Sequence, residues 1–277
     1  MMKECIGNVF IRNGQLMPSE SFNTCFLENP FYIYEVFRVI DGVPLFLEDH
    51  ETRLRLTARL SDVSEKLIPS NLAQQVWQVI TLNELKVGNM KIVVHDHPTE
   101  GCATVFLIYF TEHQYPTAAQ FEQGVPVALF EGIRTNPNAK VMDVKLRNQT
   151  NMVKSEQEVY ETLLVDQDNC ITEGSRSNVF FVKDDRLITP PLADVLPGVT
   201  RKHVIDICRR NDIPLSETKV SVEAITQMDG AFISGTSRKV LPVSRVDGHQ
   251  YPAVHPLIRR LQRLFQREVD AYVKSHQ

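Results

Sequence analysis

The apolar runs of this sequence are short, which limits the chain to structures built from short strands and amphipathic helices. One of the longest, CATVFLIYF at residues 102–110, has about half the length that a membrane-spanning helix needs. The first residues also lack the continuous apolar stretch of a secretion signal. We therefore expect a globular protein with no membrane partner. The five scattered cysteines are typical of a reducing cytoplasm, where we expect the protein.

Strand-like and helical patterns are intermingled in the first 110 residues. The turn dipeptide Asp41-Gly42 separates two apolar runs and predicts a β-hairpin, and Pro69 opens one of two helical patterns. The predicted elements are a hairpin at residues 33–39 and 44–47, helices from about residues 49 and 69, and strands at 90–96 and 102–110. Because this order is not a repeat of βαβ units, we expect an α+β domain.

A polar stretch at residues 111–124 is typical of a linker and divides the chain into two parts. After it, strand-like runs alternate with helical patterns. The expected elements are strands at 125–131, 161–165, 177–182, 186–188 and 230–234, and helices near 141–159, 200–211 and from 256. The chain of 277 residues is long enough for about two domains. We place them at residues 1–113 and 125–277, joined by a linker at 114–124.

Charge and cysteine content argue against several classes of protein. The formal net charge is −4 and no run of Lys or Arg is present, so we expect no nucleic-acid partner. The five cysteines are scattered without a C-x-x-C pair, so we expect neither a disulfide framework nor a zinc site. His95-Asp96-His97 has no accompanying third ligand, and we expect no metal there.

Four segments in the second half of the chain carry more Gly, Ser, Thr or charge than packing requires. In residues 172–178 a carboxylate lies on a Gly-Ser turn, whose N–H groups can keep it ionised. In residues 196–201 a Gly-containing loop precedes a helix, whose N-terminal N–H groups suit a phosphate. Residues 233–238 form a hydroxyl-rich turn, and in 135–140 a lysine follows an Asn-Pro-Asn turn. Each segment alone is also typical of an ordinary polar turn.

Together and in this order, the four segments resemble the fold-type IV (class IV) aminotransferases, which depend on pyridoxal 5′-phosphate (PLP). This group includes branched-chain aminotransferases, D-amino-acid aminotransferase and aminodeoxychorismate lyase. The resemblance extends from about residue 33 to residue 247 and is specific in ITEGSRSNVFFVKDDRLITPP, LPGVTR and FISGTSRKVLPV. It includes EDHETRL at residues 48–54, which is similar to the family's E-x-H-x-x-R-L segment.

The resemblance implies an α/β fold and the roles of several residues. It implies a smaller α+β N-terminal domain, a larger C-terminal pseudo-barrel, PLP in the cleft between them, and a homodimer. Glu173 matches the family glutamate that keeps the pyridine nitrogen of PLP protonated, which makes the cofactor an electron sink. The remaining cofactor-binding residues implied by the resemblance are Arg53, Val199, Thr200, Thr236 and Ser237. Of these, Ser237 lies in a turn that also faces the substrate carboxylate.

Two lysines are candidates for the Schiff base with PLP. Lys145 lies in DVKLRN, which is locally similar to the D-x-K-x-x-N of the D-amino-acid and lyase branches. Lys140 precedes the strand residue Glu161 by about the distance that separates the family lysine from the matching glutamate, and PNAK resembles P-x-A-K of branched-chain enzymes. We assign Lys140 as the catalytic residue, which holds PLP and then shuttles a proton, with Lys145 as the alternative.

The activity implied by the resemblance is transfer of an amino group between an amino acid and a 2-oxo acid. Aminodeoxychorismate lyase, which releases 4-aminobenzoate and pyruvate, uses the same lysine and cofactor and remains an alternative. A PLP-binding protein without catalysis is a third.

Two departures from the family pattern bear on the substrate pocket. The family's Gly-Asp-Gly stretch is replaced by Pro30-Phe31-Tyr32, so we expect Tyr32 and Tyr34 to shape an unusual pocket. Residues 92–100 contain no counterpart of the arginine that binds the substrate carboxylate in D-amino-acid aminotransferase. This lowers the expectation of a D-amino-acid substrate.

Overall fold

The computed structural model describes residues 4–28, 31–98, 101–251 and 254–277, and the chain divides into two compact units. Unit 1 consists of Met1–Gln114, Ala139–Asp143 and Val269–Gln277. Unit 2 consists of Tyr115–Asn138 and Val144–Glu268. Two short segments that the sequence assigns to the second domain therefore belong to the first unit.

Unit 1 is built on a six-stranded antiparallel sheet. Its strands are β1 (Ile6–Arg12), β2 (Gln15–Pro18), β3 (Ile33–Ile40), β4 (Val43–Pro44), β5 (Gly88–His95) and β6 (Val105–Thr111). Its helices are α1 (Cys25–Glu28), α2 (Leu47–Leu60) and α3 (Leu72–Asn83). The strand order is β2-β1-β6-β5-β3-β4.

The two faces of this sheet carry different side chains, because successive residues of a strand point to opposite faces. One face packs against α2 and α3 through apolar residues such as Phe37, Ile92 and Leu54. The other face carries an aromatic cluster that includes Tyr34 and Tyr109. We call these the helix-covered face and the aromatic face.

Unit 2 is built on a ten-stranded mixed sheet. Its strands are β7 (Val125–Glu131), β8 (Glu161–Val165), β9 (Cys170–Gly174), β10 (Asn178–Lys183), β11 (Arg186–Thr189), β12 (Leu215–Glu217), β13 (Val220–Ser221), β14 (Gly230–Gly235), β15 (Lys239–Val246) and β16 (His249–Gln250). Its helices are α4 (Ala118–Gln123), α5 (Val144–Glu156), α6 (Val199–Arg210) and α7 (Pro256–Ser275), the last of which continues into unit 1. The strand order is β12-β11-β10-β14-β15-β7-β8-β9-β13, with β16 beside β15.

The predicted α/β fold class is confirmed, since each unit contains a curled sheet with helices. The Asp41-Gly42 hairpin and the helix that Pro256 opens are both present. The predicted linker contains the helix α4, which Thr117 and Gln120 begin with a reciprocal capping box. Three residues of the segments discussed above lie outside the described ranges, namely Pro30, Thr99 and Glu100.

The scattered cysteines predict no disulfide framework, but one pair among the described residues is bonded. Cys25 at the start of α1 is bonded to Cys102, and their Cα atoms are 5.6 Å apart. A separation of 77 residues leaves no local sequence pattern for this bond.

In the described part of the chain, no group of His, Cys, Asp and Glu is arranged to hold a metal ion. Within the same ranges, no helix is both long and apolar enough to cross a membrane.

Candidate active site

A buried cluster of Glu35, His50 and Arg53 joins β3 to α2 on the helix-covered face of unit 1. The Nε and Nη2 atoms of Arg53 donate to the two carboxylate oxygens of Glu35, each at 2.7 Å. His50 Nδ1 lies 2.8 Å from Glu35 Oε2. His50 and Arg53 share the buried side of α2, as the spacing of the EDHETRL segment requires. The bidentate contact fixes the plane of the Arg53 guanidinium.

Burial and the neighbouring charges determine the protonation states of Glu35 and His50. Burial opposes ionisation of Glu35, but the charge and hydrogen bonds of Arg53, helped by His50, lower the pKa of Glu35 to about 2. Burial lowers the pKa of His50, the hydrogen bond and charge of Glu35 oppose that shift in part, and the charges of Arg53 and Lys140 add to it. Glu35 is therefore ionised and His50 is neutral at pH 7.

We expect acid to destabilise the protein in two stages. Unfolded His50 takes up a proton near its ordinary pKa of 6.5, whereas folded His50 does so only at lower pH, so stability falls below pH 6.5. Glu35 adds a loss of about 3 kcal/mol as the pH falls from 4.5 towards its folded pKa of about 2. Urea unfolding at a series of pH values measures both stages. The Glu35→Gln variant should lack the second, and a stability that is level from pH 7 to pH 4.5 would contradict the first.

Lys140 is held in unit 1 by the segment that precedes α5. Its carbonyl accepts from the Tyr34 N–H at 3.1 Å, and its own N–H donates to Thr57 Oγ1 at 3.2 Å. The Nζ atom lies 4.7 Å from the centroid of the Tyr34 ring. Because Thr57 is one turn after Arg53 on α2, these contacts bring the two predicted site residues of unit 1 together. Lys145, in contrast, is exposed in the first turn of α5.

Glu173 is buried near the end of β9 in unit 2, with 2% of its surface exposed. Arg134 Nε donates to its Oε1 at 2.8 Å, and the Leu196 N–H donates to its Oε2 at 3.3 Å. Arg134 also donates to the Ser175 carbonyl at 2.9 Å. Donors from two different segments therefore fix the orientation of the carboxylate. The sequence does not predict that Arg134 pairs with Glu173. Its position shortly before Lys140 is the one feature of the sequence that points to the site.

The helix α6 begins with no side-chain cap. Gly198 is its N-cap residue, and Val199 and Thr200 are buried in the first turn. A Cβ atom on Gly198 would lie 2.0 Å from Asn178 Oδ1, so the close packing of this loop requires glycine. The N–H groups of a first turn have no acceptor within the helix and attract anions.

Asn178 links the remaining parts of the unit 2 site. Its side chain donates to the Leu196 carbonyl at 2.9 Å, and its backbone is paired with Ser234 of β14. Thr236 and Ser237 follow directly in the turn between β14 and β15. Leu196 therefore contacts both the Glu173 carboxylate and Asn178, and Asn178 lies on β10 beside β14, the strand that leads into this hydroxyl-rich turn.

A second buried carboxylate, Glu161 of β8, supports the turn after β9. Arg238 Nη2 lies 2.7 Å from its Oε2, and the Ser175 hydroxyl donates to its Oε1. Burial opposes its ionisation, but Arg238 and then Ser175 outweigh burial and lower the pKa of Glu161. No sequence motif indicates the ion pair between Glu161 and Arg238.

Comparison with known proteins identifies relatives of the whole chain. The family profile described as amino-transferase class IV matches residues 32–246. A D-alanine aminotransferase of Bacillus licheniformis is 24% identical over 249 residues, which are 86% of this chain and 87% of that protein. Proteins of this family depend on PLP.

Two solved structures have the same fold. A branched-chain amino acid aminotransferase from Escherichia coli superposes with a TM-score of 0.81 at 23% identity and covers 95% of this chain and 95% of its own. A putative 4-amino-4-deoxychorismate lyase from Legionella pneumophila gives 0.79 at 20% identity and covers 90% and 95%. At this identity the two structures show a shared fold.

Proposed function

Because the chain belongs to the class IV aminotransferase family, we propose that it is a PLP-dependent enzyme that transfers an amino group from an amino acid to a 2-oxo acid. The observation that carries this proposal is the arrangement in unit 2, where the buried carboxylate of Glu173 contacts the loop that leads into the uncapped helix α6. A carboxylate suits a protonated ring nitrogen, and a helix N-terminus suits a phosphate.

The residues present fit the phosphate of PLP. The amides of Val199 and Thr200 belong to a first turn that no side chain caps. Arg53 carries a permanent positive charge, and its contact with Glu35 holds the guanidinium in one plane. We propose, as the family resemblance implies, that Arg53, Thr236 and Ser237 also bind the phosphate.

The chain supplies the groups that handle protons and charge. Bound PLP would supply an electron sink that stabilises negative charge at the substrate Cα. We assign Glu173 to keep the ring nitrogen protonated. Lys140 would hold the cofactor covalently, and its amine would take up and return the proton at the substrate Cα. Glu35 acts as a positioning residue that fixes the guanidinium of Arg53.

Aminodeoxychorismate lyase is the second candidate function. It is favoured by the fold shared with the putative lyase and by the local similarity of DVKLRN to the lyase branch. Both activities would use the same lysine, carboxylate and phosphate donors, so these residues do not separate them. The two activities differ in whether the amino group is transferred to a 2-oxo acid.

We expect the PLP-loaded protein to transfer ¹⁵N from at least one amino acid to pyruvate or 2-oxoglutarate. Mass spectrometry of the amino acid products measures this exchange across a panel of L and D donors. Aminodeoxychorismate is included in the same panel, and no 4-aminobenzoate should form from it. Release of 4-aminobenzoate without ¹⁵N exchange would instead establish the lyase. Absence of both reactions would leave a PLP-binding protein without catalysis.

We also propose that the protein is a homodimer, as the family resemblance implies, and that it acts in the cytoplasm. Sedimentation of the PLP-loaded protein measures the oligomeric state directly, and a monomer at assay concentration would contradict this proposal.

A further inference from the structure

The last turns of α7 contact the start of α2 within unit 1. Val269, Tyr272 and Val273 are spaced as residues of one helix face, and the two valines are 1% and 6% exposed. Chain ends usually fray, because few contacts tie them down. Here the buried valines hold the end of the chain in place, so Tyr272 is carried by an anchored helix.

The Tyr272 hydroxyl makes two hydrogen bonds with the first turn of α2. The Leu47 N–H donates to it at 3.3 Å, and the hydroxyl donates to Glu48 Oε2 at 2.7 Å. The Tyr272 ring lies edge-on to the Phe46 ring, with 4.9 Å between centroids, and stacks on the His276 ring at 4.0 Å. Burial and the hydrogen bond to Glu48 raise the pKa of Tyr272, so its hydroxyl keeps the proton that it donates.

The start of α2 receives its cap from this distant tyrosine. Phe46, the N-cap residue, lies in the left-handed region with φ 54° and makes no side-chain capping hydrogen bond. The first N–H groups of a helix have no acceptor within it, and a side chain that accepts from one of them stabilises the helix start. Tyr272 supplies this acceptor from a position 225 residues after Leu47.

The helix that Tyr272 caps also carries Arg53. Leu47 and Arg53 are both buried and lie about 9 Å apart along the helix axis. The bidentate contact with Glu35 fixes the plane of the guanidinium. Its position along the axis depends on where the first turn of α2 is held, because the 14 residues of the helix form one continuous element.

We propose that Tyr272 is a positioning residue for the phosphate of PLP, because its hydroxyl fixes the start of α2 and thereby the place at which Arg53 meets the phosphate. This inference rests on the proposed function, in which Arg53 is taken as a phosphate-binding residue. Tyr272 acts through α2 and is not assigned to contact with the cofactor or the substrate. Loss of its hydroxyl should therefore weaken recognition of the phosphate and leave recognition of the ring intact.

Binding of PLP and of pyridoxal, which has the same ring and aldehyde but no phosphate, tests this proposal. Tyr272→Phe keeps the ring and loses only the hydroxyl. We expect this variant to bind PLP with a Kd raised by about 3- to 10-fold, the typical contribution of one hydrogen bond. Its Kd for pyridoxal should stay unchanged. Absorbance titration of the full-length apoprotein measures both constants without turnover, and thermal unfolding sets the temperature at which the variant is fully folded.

Tyr251→Phe is the matched control, because the Tyr251 hydroxyl is buried and has no hydrogen-bond partner among the described residues. This variant should bind PLP and pyridoxal as the wild type does. Inorganic phosphate gives a second measurement on Tyr272→Phe. Its inhibition constant as a competitor of PLP should rise by the same factor as the Kd of PLP.

Arg53→Gln separates failure of this proposal from failure of the proposed function. If Arg53→Gln weakens PLP binding but Tyr272→Phe does not, the positioning role of Tyr272 is wrong and the proposed function stands. The same conclusion follows if Tyr272→Phe weakens PLP and pyridoxal equally, because the hydroxyl then only supports the fold. If folded Arg53→Gln binds PLP like the wild type, the assignment of Arg53 to the phosphate is wrong, and the role of Tyr272 is wrong with it.

Discussion

Replacing Lys140 by alanine is expected to abolish covalent attachment of PLP and to reduce turnover by at least about 10³-fold. Proton transfer by a positioned side chain alone contributes about 10²- to 10⁴-fold, and the amine of Lys140 is also the assigned attachment point. Borohydride reduction followed by peptide mass spectrometry locates the attached cofactor, and the visible absorbance of the loaded protein reports it independently. Thermal unfolding of the variant checks that the loss does not result from misfolding.

Lys145→Ala is the matched control, because Lys145 is the other lysine that the sequence motifs allow. Its side chain is exposed at the start of α5, whereas Lys140 is fixed by backbone contacts to Tyr34 and Thr57. We expect the Lys145→Ala variant to keep cofactor and turnover. Loss of both in this variant, with both retained in Lys140→Ala, would reverse the assignment.

Elements defined by local patterns could be predicted from the sequence. The turn dipeptide Asp41-Gly42 and the helix opener Pro256 act through the dihedral angles of a few adjacent residues, and both elements are present. The bond between Cys25 and Cys102 depends on contacts between distant parts of the chain and was missed. The same holds for the inclusion of Ala139–Asp143 in unit 1, where Val141 forms a β-bridge with Ile33.

In the candidate site, too, local spacing could be predicted from the sequence, whereas contacts between distant residues could not. The spacing of His50 and Arg53 identifies one face of a helix, and the structure buries both on that face. Their common partner Glu35 was not predicted, because it lies on a strand rather than on the helix. The pair of Glu161 and Arg238 joins residues 77 positions apart, and no periodicity connects them. Buried ion pairs between distant residues are therefore not predictable from local sequence patterns.

Replacing Glu173 by glutamine is expected to reduce turnover by about 10²- to 10³-fold, the typical cost of removing one preorganised electrostatic group from an active site. A neutral amide does not favour a protonated ring nitrogen, so the electron sink is weakened even when the cofactor is bound. The substitution also removes the carboxylate that pairs with Arg134, whose side chain is 10% exposed. A loss of stability is therefore expected as well, and it must be separated from the loss of chemistry.

Glu217→Gln provides that separation, because Glu217 pairs with another buried arginine but lies on the edge strand β12 and is not assigned to cofactor binding. Glu217 Oε2 lies 2.7 Å from Arg201 Nη2, and the Arg201 side chain is 4% exposed. Glu217→Gln should lower the free energy of unfolding while the folded protein keeps its turnover and its cofactor absorbance. Glu173→Gln should lose turnover at temperatures where it is fully folded, with an altered absorbance of the bound cofactor. If Glu173→Gln behaves like Glu217→Gln, the carboxylate of Glu173 serves only to hold Arg134, and its assignment to the ring nitrogen is wrong.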